Sequence, residues 1–226
     1  MDTIVQQTNL YSAQQNVNKP VEVSQPEIEK WLGLVMYLSI YKISDTRIHW
    51  SQMGEFMDVA SSVMSRNRFE AIKKNFHLVD NSENTNREDK MFKVRPMIDH
   101  LRMKFNEIPM EKQELCVDEQ IVPFKGRSQV KQYIPNKPHK WGYKFFILAD
   151  AKGIIYEFIP YTGKILPVED QHVPDLMASA NVVLHLAQKI TSNVNHLLFF
   201  DNWFTSIPLI DYLASRGIWC CGTVTC

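Results

Sequence analysis

Apolar positions recur along this chain with two periods, and the change between them divides it. Ser24 and Glu27 stand at capping-box spacing. After them Ile28, Trp31, Leu32, Val35, Met36 and Leu38 predict a mostly buried helix. A less regular helical stretch is expected over 50–63. Ser65 is placed to cap a further helix in which Phe69, Ile72 and Phe76 share one face, with Arg66, Arg68, Lys73 and Lys74 along it. Those cations suit either a DNA-facing surface or a plain solvated face. Residues 81–90, NSENTNREDK, carry no apolar side chain and read as a linker. Val94, Met97, Ile98, Leu101, Phe105 and Ile108 then form a helical stripe that must pack on something, and Pro109 ends it.

From residue 114 the pattern becomes that of strands. They are expected over 114–123, 144–149 and 154–159, the last two joined by Asp150-Ala151-Lys152-Gly153, a good hairpin turn. An amphipathic helix over 175–190 follows, carrying Leu176, Ala180, Val183, Leu184, Ala187 and Ile190. A short buried strand, 196–200, runs into Asp201, and Gly217 stops a helix over 207–215 before a last strand at 218–224. The order βββ-α-β-α-β is that of the ribonuclease-H-like fold, an α/β (α+β) mixed sheet with flanking helices. In that fold the first and fourth strands are neighbours, so Asp118 and Asp201 would converge in space. The expected plan is a disordered tail at 1–24, rich in Gln, Asn and Ser. A small helical domain follows at 25–80, then the linker, then a ribonuclease-H-like part at 91–226.

Composition changes this picture little. With 226 residues, 45% hydrophobic and 22% charged, the chain has room for one large or two small domains of ordinary soluble type. The longest near-continuous apolar run, 31–41, is shorter than the roughly 20 residues of a membrane span. No basic start followed by an apolar block opens the chain, so neither a membrane partner nor a secretory signal is expected. Four cysteines, Cys116, Cys220, Cys221 and Cys226, show no CxxC pairing; the last three, crowded at the C-terminal end, are expected as buried thiols, and a reducing, intracellular setting follows.

Charge matters more in its placement than in its sum. The chain has 25 basic and 25 acidic residues, so nucleic-acid binding would need a local patch. Such a patch exists: 120–149 contains no Asp or Glu, yet holds Lys125, Arg127, Lys131, Lys137, Lys140 and Lys144, interleaved with Phe124, Tyr133, Trp141 and Tyr143. Cations can neutralise phosphates while aromatic faces pack against sugars or unpaired bases. A solvated basic loop, or counter-charges for an acidic partner, would look the same. On either side of the patch, two apolar strand runs end on acids, Leu115-Cys116-Val117 on Asp118-Glu119 and 196–200 on Asp201. A strand-end carboxylate is normally paired or bound to metal, because an isolated buried charge is costly. Asp150 also ends a strand, but its turn explains it.

The same residues carry a resemblance. Val117-Asp118-Glu119-Gln120, Pro123-Phe124-Lys125-Gly126-Arg127, the run from Gln132 to Gly142 (QYIPNKPHKWG), Tyr161-Thr162-Gly163-Lys164 and Phe200-Asp201-Asn202-Trp203-Phe204-Thr205-Ser206 occur in this order. The chain therefore resembles the piggyBac-type transposases. The resemblance implies metal-dependent DNA strand cleavage and transfer, with Asp118 and Asp201 as catalytic acids holding Mg2+ or Mn2+. It implies DNA, as transposon ends and target, along Lys125, Arg127, Lys131, Lys137, His139, Lys140 and Lys144. A homodimer, a role in dimerisation or DNA binding for the helical domain, and a nuclear location belong to the same implication. A third acid is implied on a helix after the last strand, whereas the sequence stops at Cys226. The expectation is thus an incomplete acid set and no DNA cutting by the chain as it stands. Two readings stay open: a fragment of a transposase, or a non-catalytic DNA-binding or interaction derivative. Asp211, on the helix between the last two strands, reads as a surface acid. Ile218 and Trp219 are expected to lie uncovered on an edge strand.

Overall fold

The computed structural model describes residues 1–41, 45–51, 58–84, 89–135 and 137–224. The chain divides into two compact units, Met1–Met97 and Ile98–Cys226. The expected helix over 50–63 lies partly outside the described residues, as do residues 85–88 of the expected linker. The division falls inside a helix, Arg95–Asn106, rather than at 81–90.

The first unit is helical: α1 (Asp2–Gln15), α2 (Gln25–Ile40), α3 (Asp58–Val63) and α4 (Arg66–Asn75). Its core gathers Ile28, Trp31, Leu34, Ala60, Phe69 and Ile72. Two indole N–H groups that this packing would strand find carbonyls, Trp31 on Phe69 at 3.2 Å and Trp50 on Met64 at 2.7 Å. Ser65 caps α4 as its position suggests, accepting from the Arg68 N–H. The Ser24–Glu27 box forms only in part. Glu27 accepts from the Ser24 N–H, but the Ser24 hydroxyl makes no cap bond and the Glu27 carboxylate turns to Arg68 at 2.7 Å. α2 is also less buried than its composition implies, since Val35, Met36 and Ile40 are exposed.

The expected disordered tail is instead α1. Its apolar content is low, but its polar side chains are used specifically. The Asn9 amide bonds both backbone groups of Val23, at 2.8 and 3.0 Å, and the Ser12 hydroxyl accepts from the Val21 N–H. Tyr11 stacks on His77, and Thr8 and Ser12 are buried. Satisfied side-chain-to-backbone bonds offset ordering entropy that composition alone leaves uncovered.

The second unit takes in most of α5 (Arg95–Asn106). It contains β1 (Glu114–Pro123), β2 (Gln132–Tyr133), β3 (Trp141–Asp150), β4 (Ile155–Pro160), α6 (Met177–Ala187), β5 (Leu197–Phe200), α7 (Ile207–Ser215) and β6 (Trp219–Gly222). The sheet runs β2-β3-β1-β5-β6, with β4 also on β3. β1–β3 and β3–β4 are antiparallel, while β1–β5 and β5–β6 are parallel. This is the mixed sheet with flanking helices of the ribonuclease-H-like fold; the short β2 inside the basic loop is an addition. Leu115, Val117, Phe146, Leu148 and Leu198 from the sheet meet Val183, Leu184 and Leu186 of α6 and Leu209 and Leu213 of α7. Ile218 belongs to this core and is fully buried, so of the two residues expected to lie uncovered only Trp219 is exposed. In the α5 stripe, Ile98 is buried but Val94 and Leu101 are exposed. Phe105 meets Phe158 edge-on, and Arg102 forks onto the buried Glu157 at 2.8 and 3.2 Å.

The β3–β4 turn accounts for Asp150. Gly153 takes a left-handed φ of 82°, and the Asp150 carboxylate accepts from the Lys152 and Ile154 N–H groups and the Tyr156 hydroxyl. Burial works against its charge, but these donors outweigh it and hold the carboxyl below the usual range. A depressed folded value means stability that is present above the unfolded pKa, about 3.9, and lost as pH falls through the folded one. The melting temperature of the wild-type chain is therefore expected to fall more steeply than that of Asp150→Asn as the pH is taken below about 4. Parallel pH profiles for the two would show that the turn acid carries no such linkage.

Candidate metal and phosphate site

β1 and β5 place the two strand-end acids by register alone. Glu114 pairs with Leu197, Leu115 with Leu198, Cys116 with Phe199 and Val117 with Phe200. One step further along both strands lie Asp118 and Asp201. There β5 stops, whereas β1 continues to Pro123 with β3 as its partner. The sheet therefore opens on one side at the two acids.

Asp201 is held by the turn that follows it. One carboxylate oxygen accepts from the Trp203 N–H at 2.9 Å, and its carbonyl accepts from Phe204 N–H and the Thr205 hydroxyl. Phe204 anchors the turn in the core with no exposed surface, and Ser206 caps α7. Gly222 of β6 closes against it, where a β-carbon would lie 2.2 Å from the Thr205 hydroxyl. The Asp-Asn-Trp-Phe-Thr-Ser run thus spells a turn whose purpose is to aim one acid.

Asp118 accepts from the Glu119 N–H at 2.7 Å. Asp118, Glu119 and Asp201 each offer an oxygen, and these oxygens lie within 4.8 Å of one another. Glu119 is the member that reading the strand did not assign. Strict alternation sends it to the face opposite Asp118, but the missing neighbour beyond Val117 leaves its longer side chain room to reach the same place. The signal in the sequence was the Asp-Glu doublet at a strand end.

Crowding shows in the electrostatics. Burial first, then contact with Asp118 and its charge, pushes the Glu119 carboxyl above its ordinary value, with Lys137 and Lys144 pulling it back in part. The Lys137 ammonium lies 3.5 Å from the Glu119 carboxylate. Lys144 is half-buried, and desolvation lowers its pKa although Glu119, Asp201 and Asp118 favour its charge. Cys116, which lines the same hollow, has its thiol pushed up by partial desolvation and then by Asp118 and Asp201. The expectation of buried thiols at the C-terminal end fails: Cys221 is exposed and Cys220 intermediate, while Cys226 lies outside the described residues; Cys116 is exposed as well. A hollow of about 460 Å³ opens over the acids, lined also by Lys137, Cys221 and Thr223.

Of the basic residues singled out by charge, only Lys137 and Lys144 come to the acids. Lys131 donates to the Gly126 carbonyl at 2.7 Å and lies over Trp141. Lys125, Arg127, His139 and Lys140 are exposed on the segments flanking β2. The base of this loop is drawn tight at Gly142, where a β-carbon would meet the Val122 carbonyl oxygen at 2.2 Å.

Two parallel strands ending on convergent acids, in a mixed sheet with flanking helices, are the arrangement of the ribonuclease-H-like transposase fold. The chain belongs to the family described as Transposase IS4, whose model matches residues 1–225, and within it to the piggyBac-derived proteins. It is 32% identical over 227 residues to PiggyBac transposable element-derived protein 3 of Homo sapiens, covering 99% of this chain and 37% of that protein. To PiggyBac transposable element-derived protein 2 of Homo sapiens it is 27% identical, covering 98% of this chain and 37% of that one. The chain thus spans little more than a third of the length of these relatives. A cryo-EM structure of a piggyBac transposase synaptic complex with hairpin DNA superimposes with a TM-score of 0.85 at 25% identity, over 99% of this chain and 48% of that one.

The raised carboxyl of Glu119 has a stability consequence with a definite sign. A carboxyl raised by folding contributes stability below its unfolded value and loses it as pH rises through the folded one. At neutral pH and without metal, Glu119→Gln is therefore expected to raise the denaturation midpoint. Lys137→Ala should lower it, by about 0.5–1 kcal/mol. Chemical denaturation in a chelator measures both, and a lower midpoint for Glu119→Gln would show that the three carboxylates do not oppose one another.

Proposed function

We propose that this chain carries acids of a DNA strand-cleavage and strand-transfer site, Asp118 and Asp201, with Glu119 completing the donor set within it. The observation that carries the reading is the convergence of three carboxylates within 4.8 Å at the open end of the β1–β5 pair. An all-oxygen, all-anionic donor set suits a hard divalent cation, Mg2+ or Mn2+, and a cation there would offset the burial and the Asp118 charge that raise the Glu119 carboxyl. When bound, such an ion lowers the pKa of a water or 3′-hydroxyl and stabilises the leaving oxygen.

The remaining work falls to the protein's own groups. Lys137 and Lys144 draw a phosphodiester towards the acids and keep part of their mutual repulsion in check. The Trp203 N–H holds Asp201 in one orientation. Lys125, Arg127, Lys131, His139 and Lys140 neutralise phosphates further along the strand, with exposed Trp141 and Tyr133 beside them. That a structural relative was solved with hairpin DNA supports DNA as the partner, here as transposon end and target. A homodimer, a DNA-binding or dimerising role for the helical unit, and a nuclear setting complete the proposal.

Metal binding is tested by melting the chain in a chelator and then in Mg2+ or Mn2+. A stabilisation of about 1.4 kcal/mol is expected with the ion at ten times its Kd, absent in Asp118→Asn and Asp201→Asn. An unchanged wild-type melt would overturn the metal assignment. For DNA, log K should fall linearly with log salt, and each phosphate contact removed by Lys125→Ala, Arg127→Ala, Lys137→Ala or Lys140→Ala should lower the slope by about 0.9. A slope unchanged by all four together would remove the loop from the phosphate-binding surface.

A further inference from the structure

Beside the acids lies a second hollow, of about 470 Å³, whose lining includes Gln132, Lys144, Phe146, Tyr161, Lys164 and Trp203. Its size falls in the range of roughly 300–1,000 Å³ usual for small-ligand sites. Among the described residues no carboxylate lines it, although the neighbouring hollow is built around three.

Its wall is aromatic and rigid. Trp203 stacks on Phe146 with ring centroids 5.6 Å apart and planes within 8°, and meets Phe204 edge-on at 4.8 Å. Yet Trp203 remains 46% exposed, with its backbone pinned by the bond to Asp201. A large aromatic held on one side and left bare elsewhere can accept a second ring without paying much conformational entropy. The Lys144 ammonium lies 4.9 Å from the Trp203 ring and 4.6 Å from the Phe146 ring, so a cation sits where the two rings meet. Lys164 adds an exposed second cation at the rim.

A flat apolar wall with two cations and no acid fits a ligand that is a planar ring joined to a phosphate. We infer that this hollow receives one unpaired nucleotide of the bound DNA, its base against Trp203 and its phosphate towards Lys144 and Lys164. The inference rests on the proposed DNA-processing role and adds a substrate feature to it. Trp203 is two residues from Asp201, so a nucleotide seated there places an adjoining phosphodiester at the carboxylates. A base within an intact duplex has both faces stacked and cannot reach the ring, whereas an extruded one can. The site therefore selects DNA that is unpaired or easily unpaired beside the reacting bond.

The test compares two duplexes of one sequence, fully paired or carrying a single unpaired 2-aminopurine, bound to the full chain at fixed salt. Base stacking on an aromatic side chain is worth roughly five- to hundredfold in Kd. The expected result is at least about a fivefold preference for the unpaired site, with 2-aminopurine fluorescence quenched on binding. Trp203→Leu, which keeps apolar packing on Phe146 and Phe204, should abolish preference and quenching while leaving duplex affinity and melting temperature near wild type; Trp203→Phe should keep most of both. Lys164→Ala should lower the salt slope for the unpaired substrate alone. Equal wild-type affinity for the two DNAs, or a preference that survives Trp203→Leu, overturns this inference and leaves the DNA-binding role standing. Failure to bind either DNA overturns both.

Discussion

The parallel pairing of β1 with β5 is the constraint on which the rest of the second unit depends. Its register is set by core side chains, Leu115 and Val117 on one strand and Leu198 and Phe200 on the other, all buried under α6 and α7. A slip of one residue would turn every one of them out of the core, so the hydrophobic effect enforces the alignment. The acids inherit that precision without contributing to it. They lie one step past the last buried pair, where β5 has ended and β1 has not.

Placing three carboxylates together is unfavourable in the absence of a counter-charge, and the surrounding groups show how the cost is limited. Asp118 and Asp201 each bond a backbone N–H, and Lys137 and Lys144 approach from the basic loop and from β3. The compensation is partial, since the Glu119 carboxyl still sits above its ordinary value. Elsewhere in the unit the balance is complete. Buried Glu157 is forked by Arg102, and Asp150 is saturated by its own turn. Acids with a full set of partners serve the fold; those left crowded at the open sheet edge are the ones on which the proposed chemistry rests.

The helical unit is held differently. Its apolar core is small, and much of its definition comes from polar groups used one at a time: two indole N–H bonds, the Asn9 amide clasping Val23, and the Arg68–Glu27 fork that takes one cation of α4 out of the solvated face. Such contacts depend on the identity and rotamer of single side chains. That makes α1 stable here although its composition is that of a tail.

What the sequence determined by itself was whatever local pattern and ordered motif can encode. The strands around Asp118, the Asp150–Gly153 hairpin, the helix over 207–215 and the two strand-end acids follow from periodicity and turn chemistry, because those effects act within a few residues of the chain. The tertiary structure alone decided which charges share a site. Glu119 joins Asp118 only because β5 stops short. Lys137 and Lys144 reach the acids while Lys125, Arg127, His139 and Lys140 stay outside, although all belong to one acid-free run. Trp203 becomes a wall only because Phe146, far away in sequence, lies parallel to it. Even the order of residues 2–15 rests on partners at Val21, Val23 and His77. In each case the deciding energy comes from a contact whose second half lies elsewhere in the chain, and composition or period carries no record of it.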